Sequence, residues 1–289
     1  MTATLSFGPP ATSPGRAAFT ALAARETRRF ARNPVFLFAV AFIGYALWAG
    51  PDTGTTDINT ANPYPAIFLG GFGMMATYWL TRSMRASEPV VGVTPTTLLA
   101  RTAALCAVAI VPFACGCLAL LRFVQLIPIS NPAYGAFSPS ARVAVLVGQI
   151  VMPTLGGPLL GVALGRWVRF PGAAFVLFLL LYGWVSLVTI LSMSHQNSAP
   201  VAVLRLFAPF AFFTYAGNPG GVTAWRGSPW FFLGWQLALC AIAVLVALLR
   251  GAEGRVRFRI IRGLEIVLVV AVIMLVLAVT GGFIHAVTA

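Results

Sequence analysis

The chain contains no lysine: all nineteen basic residues among its 289 are arginine. A P-loop needs a lysine to reach the β- and γ-phosphates of a nucleotide, so a Walker A site is excluded. Acidic residues are also scarce, the six being Glu26, Asp52, Asp57, Glu88, Glu253 and Glu265. None falls centrally in an apolar run. Ion-coupled transporters hold their ion on an ionisable group at membrane depth, and many channels ring the pore with charge, so both classes lose support. Paired carboxylates for acid–base catalysis at depth are missing too, and the chain is expected not to be an enzyme. His195 and His285 are too few for an HExxH site or a His-rich metal centre. The four cysteines, Cys106, Cys115, Cys117 and Cys240, all lie inside apolar runs and suggest no disulfide framework. Neither a metal nor a directly bound cofactor is expected.

What is present is apolar. Hydrophobic residues make up 59% of the chain and charged residues 9%, against about 25% charged in a soluble domain. Lipid must solvate most of such a chain. The formal net charge of +13 does not point to nucleic acid, because the arginines stand in short clusters between apolar runs. That is the pattern of the positive-inside rule.

A helix needs about 20 mostly apolar residues to cross the hydrocarbon core. Suitable stretches fall at Val35–Gly50, Pro65–Thr81, Thr102–Leu121, Val143–Gly165, Pro171–Leu191, Pro229–Leu249 and Ile266–Ile284. The expected fold is therefore an all-α polytopic membrane protein with about seven transmembrane helices. With a cytoplasmic N-terminus, Arg16, Arg25, Arg28, Arg29, Arg32, Arg82, Arg85, Arg101, Arg166, Arg169, Arg250, Arg255, Arg257, Arg259 and Arg262 fall inside, and Arg122, Arg142, Arg205 and Arg226 outside. Fifteen against four fixes the orientation and leaves the C-terminus outside. Residues 1–15 lack the basic start and apolar core of a secretory signal and are expected to be a disordered cytoplasmic tail.

Four local features carry functional expectations. Residues 16–33 read as a basic amphipathic helix, with Phe19, Leu22, Ala23, Thr27 and Phe30 near one face, lying on the inner membrane surface. Glu26 amid four arginines makes it either a docking surface or a simple anchor with Glu26 paired to Arg29. Between the second and third spans, Thr94-Pro95-Thr96-Thr97 is a turn and helix-start signal, and Val90, Val91 and Val93 are apolar residues with no membrane run to belong to. Gly157, Gly161 and Gly165 form a double GxxxG for close helix packing, within the chain or between two copies. Finally, Leu206–Ala216 is too short to span and is interrupted by Pro209. It is either a re-entrant segment, with Phe207, Pro209, Phe210 and Phe213 as a possible gate, or an amphipathic helix on the outer surface. Residues 250–265 carry five arginines, expected to fix topology and touch anionic lipid.

Three of these segments, in this order, resemble the membrane subunits of type 2 ABC exporters, especially the actinobacterial kind. Arg25-Glu26-Thr27-Arg28-Arg29-Phe30-Ala31-Arg32-Asn33-Pro34 looks like the basic helix that leads into that family's first span. The stretch from Glu88 through Pro95 to Arg101 is similar to its loop after span two, and the apolar residues around Pro209 to its re-entrant outer hairpin. The resemblance covers about residues 16–250. It implies a permease in the cell membrane, built on a six-span core over residues 34–250, that forms the substrate pathway. A second permease subunit, identical or paralogous, and a separate ABC ATPase that binds ATP and Mg would be its partners. The resemblance also implies that Glu26, Arg29, Glu88, Val93 and Pro95 couple the permease to the ATPase. The chain departs from the pattern over residues 251–289, where a basic loop and an extra C-terminal helix are expected. The alternative is a non-transport scaffold or regulatory subunit of a larger complex.

Overall fold

The structure is a computed structural model and describes residues 14–49, 64–86, 97–126, 138–194, 225–226, 228–280 and 283–284. The described residues are helical apart from short turns and a two-residue antiparallel pairing of β1 (Trp225–Arg226) with β2 (Phe283–Ile284). Helix α1 (Pro14–Ala31) turns at Arg32 and Asn33 into α2 (Pro34–Ala49), and the pair is bent by 63°. The Asn33 side chain accepts from the Val35 amide at 3.0 Å, satisfying one of the orphan donors at the start of α2. Phe30 and Phe36 are buried on each other with centroids 4.3 Å apart, which fixes the corner.

The remaining breaks follow from proline and glycine. Ala66–Phe72, with its Gly70-Gly71 pair, is wound as a π-helix (π1) that runs on into α3 (Gly73–Ala86). Helices α4 (Leu98–Ala107) and α5 (Ile110–Leu126) form one path interrupted at Val108 and Ala109, where Pro112 has no N–H for the Val108 carbonyl. Helix α6 (Pro139–Leu146) joins α7 (Met152–Trp167) through a second π-segment, π2 (Val147–Val151). Here Pro153 cannot donate to the Gln149 carbonyl, and the ladder widens to accommodate this. Helix α8 (Ala173–Ser194) follows a short turn. Helices α9 (Pro229–Leu249) and α10 (Gly254–Thr280) form an antiparallel hairpin, with Gly254 at φ +51° in its turn.

Helix α7 is the hub. It packs on π1, α3, α4, α5, α8 and α9, and the most apolar stretch of the Pro139–Trp167 path is 72% buried, against 6% for that of Gly254–Ala278. Outward faces are apolar, with Phe38, Trp48, Leu118, Leu180, Trp230 and Ile266 all exposed. Polar Thr77, Thr102, Gln149, Thr154 and Gln236 are buried inside. That inversion marks a protein solvated by lipid.

Among the described residues four paths are long and apolar enough to cross a membrane: Leu98–Leu126, Pro139–Trp167, Pro229–Leu249 and Gly254–Ala278, with the bent α1–α2 pair as a fifth. The expected count was seven. Ala173–Leu187 is apolar but shorter. The π1–α3 path carries Thr77, Tyr78, Thr81 and Arg85 on a face turned to α7, which lowers its hydropathy without exposing those groups to lipid. The basic loop expected over residues 251–265 is corrected. Only Gly251, Ala252 and Glu253 are non-helical, and the arginines from Arg255 on are the first turns of α10. No proline interrupts residues 254–280, so the helix runs outward past the apolar span. It ends at Thr280, and the expected span end at Ile284 is instead part of β2.

Candidate functional site

A close helix approach in the core is the seam between α7 and the π1–α3 path. A Cβ built on Gly157 would fall 2.7 Å from the Gly70 carbonyl carbon, and one on Gly161 would fall 2.9 Å from that of Met74. One on Gly165 would meet Thr81 Cβ at 2.7 Å. The three glycines thus pack within the chain, where bare backbone lets α7 lie on α3. Gly73 returns the arrangement, since a Cβ there would meet the Pro158 ring at 2.9 Å. The Thr77 hydroxyl donates across the seam to the Pro158 carbonyl at 2.8 Å. Such a bond between membrane helices contributes about 0.6 kcal/mol.

The seam ends in arginines. Arg85 Nη1 stands 3.2 Å from the Gly165 carbonyl, 3.4 Å from that of Arg166 and 3.2 Å from that of Val168. Arg250 Nη1 donates to the Arg166 carbonyl as well, and its guanidinium lies 5.7 Å from the centre of the Trp167 ring. The Trp167 indole donates to the Val246 carbonyl at 2.8 Å. These groups cap the exposed carbonyls of α7 with positive charge at its negative end. They also tie α3, α7 and α9 to one point. Tyr78 adds a fourth tie, donating its hydroxyl to the Phe170 carbonyl in the turn before α8.

Beside this point lies a corner formed by α1, the end of α3 and the start of α4. Helix α1 buries or half-buries Phe19, Leu22, Ala23, Glu26, Thr27 and Phe30 and exposes Ala24, Arg25, Arg28 and Arg29. Its apolar face is the expected one, but it is turned onto α4 and α3 rather than presented to lipid. Glu26 is on the covered side, 12% exposed, and accepts from Arg29 Nη1 at 3.0 Å, with Arg29 44% exposed. Arg29 Nη2 also donates to Ser83 Oγ at 3.4 Å, which joins α1 to the last turn of α3. At the other anchor Thr97 caps α4, its hydroxyl accepting from the Ala100 amide at 3.2 Å. Both ends of the segment joining α3 to α4 therefore border α1.

Glu88, Val93 and Pro95 lie outside the described residues, as do Phe207, Pro209, Phe210 and Phe213. Among the described residues no group of His, Cys, Asp or Glu could hold a metal ion. No family model, curated protein or solved structure matches the chain. The site is therefore argued on its own geometry.

Sequence reasoning treated Arg85 only as a topology marker and Arg250 as one of five arginines that fix topology and touch anionic lipid, and it gave no role to Thr77, Tyr78 or Trp167. A signal was available for the arginines: a span ending at Trp167 leaves four carbonyls in want of donors. Gly70, Gly71 and Gly73 on the second span were likewise a small-residue match for the GxxxG run on the fourth.

Proposed function

We propose that this chain is the transmembrane subunit of an ABC exporter in the cell membrane, coupled to a separate ATPase subunit that binds ATP and Mg. A six-span core over residues 34–250 forms the pathway with a second permease subunit, identical or paralogous. Its N-terminus is cytoplasmic, and α10 is a seventh, peripheral span that leaves the C-terminus outside. The observation that carries the reading is the corner at which α1 touches both anchors of the α3–α4 segment. An ATPase engaging residues 88–95 would push on α1, α3 and α4 together. Helix α3 would pass that motion along the glycine seam to α7 and, through the arginine caps, to α9.

In this reading Glu26 and Arg29 hold α1 to the corner, while Glu88, Val93 and Pro95 meet the partner. The exposed side of α1 is then close to the ATPase. A photocrosslinking side chain at Ala24 or Arg28 tests this in whole membranes. The expected product is an adduct with a P-loop subunit that forms only on irradiation. Adducts with lipid alone at both positions would contradict the proposal.

A second reading is a non-transport scaffold or regulatory subunit. It is favoured by α10, which packs chiefly on α9 and offers most of its surface outward. It expects partner adducts on α10 and none on α1.

A further inference from the structure

A slot opens between α7, α8 and α9. Helix α8 docks on α3 and α7, with Phe178 seated over Gly71, but makes little contact with α9. The gap it leaves is a cavity of about 310 Å³ lined chiefly by Gly156, Leu160, Leu181, Leu239, Ala243 and Val246. Gln236, the polar residue in the lining, stands at the opposite end from Val246 and donates to the Gly148 carbonyl at 2.9 Å. From Gln236 to Val246 the slot runs about 15 Å along α9, which is half the hydrocarbon thickness of a bilayer.

The Val246 end is cationic. Arg250 is four residues on, one turn further along the same face of α9, and Trp167 joins the two through its indole bond to the Val246 carbonyl and its ring beside the Arg250 guanidinium. Arg85 shares the Arg166 carbonyl with Arg250, so a second guanidinium is adjacent. Arg169, two residues past Trp167, is exposed. Glu253, the carboxylate nearest in sequence, is exposed in the hairpin turn. An apolar channel one leaflet long with an arginine and an interfacial tryptophan at its mouth matches one ligand chemistry.

We infer that this slot holds one acyl chain of a resident anionic phospholipid, with its phosphate at Arg250 beside Trp167. The site needs only that the chain sits in a bilayer and stands whether or not an ATPase is its partner.

The test is native mass spectrometry of the full chain in mild detergent, titrated with phosphatidylglycerol and phosphatidylcholine of identical acyl chains. The first phosphatidylglycerol should be held about fivefold more tightly than the first phosphatidylcholine. Arg250→Gln should abolish that preference, and Arg250→Lys should keep it. Ala243→Phe should fill the slot and weaken the first site for both lipids. If that variant does not fold, Leu239→Trp fills the same space from the next turn. Equal retention of the two lipids by the unsubstituted chain would overturn the inference, as would slot-filling variants that bind like it. So would a preference that survives Arg250→Gln but is lost in the double variant Arg255→Gln, Arg259→Gln, since the headgroup would then sit on the collar of α10.

Discussion

The glycines of α7 are where single substitutions act most strongly. At Gly161 a methyl group would meet backbone of α3 that cannot move without shifting the helix, and overpacking of this kind costs about 1–3 kcal/mol or more. Gly161→Val is therefore expected to lower the melting temperature in detergent sharply, and Gly157→Val similarly. Gly44→Ala and Gly183→Ala are the matched controls. A Cβ at either meets nothing within 4 Å, and removal of a glycine from a helix interior is neutral to slightly stabilising. Gly254 differs in kind, because its φ of +51° is a backbone cost to any side chain. Gly254→Ala should cost about 1 kcal/mol while leaving packing intact. A thermal-shift series over these five variants, ranked by melting temperature, checks all of this together.

At the scale of elements, the Glu26–Arg29 pair separates structure from function. It is a half-exposed i, i+3 pair, and such pairs contribute less than about 1 kcal/mol. Glu26→Gln should leave the melting temperature nearly unchanged and still reduce nucleotide hydrolysis by the complex, because Arg29 would no longer be held toward Ser83. Equal hydrolysis by both proteins would remove the coupling role from Glu26. Helix α10 makes a second element-level prediction. Packed chiefly on α9, and with only 6% of its apolar window buried, it should be removable. Truncation after Glu253 is expected to leave a monodisperse protein in size-exclusion chromatography, since the uncovered side of α9 is itself apolar. Aggregation of the truncated chain would mean that α10 belongs to the core.

How far the elements could be read from the sequence depended on what ends them. Starts marked by proline or a capping side chain stand where the sequence places them at Thr97 and Pro229, and within one residue at Pro34, because the missing donor and the cap are local facts. The start of α10 was misplaced by a dozen residues, since a run of arginines reads as loop by charge while nothing in its backbone chemistry stops a helix. The π-segments were missed because they arise where proline and glycine disturb the ladder of a helix otherwise held by its neighbours, and that support is tertiary. The glycine seam was visible as GxxxG, but which helix fills it was not. That choice depends on Gly70, Gly73 and Thr77 arriving opposite, a matter of how the helices are arranged in space.

For the whole molecule, topology and partnership each have a direct test. The arginine distribution predicts that a reporter fused after residue 10 is active in the cytoplasm and one fused at Ala289 is active outside. Both reporters on the same side would require an even number of crossings and would remove one helix from the span count. The pairing of β1 with β2 fits this scheme, since it sets the start of α9 and the end of α10 on one side. The central claim, that this chain is the membrane half of an ATP-driven pair, is tested most directly by affinity purification of the tagged protein in mild detergent. The account predicts a co-purifying subunit with a Walker A sequence, and its release or uncoupled hydrolysis in the Glu88→Ala and Pro95→Gly variants. Purification free of any nucleotide-binding subunit in several detergents would contradict it and move the scaffold reading ahead.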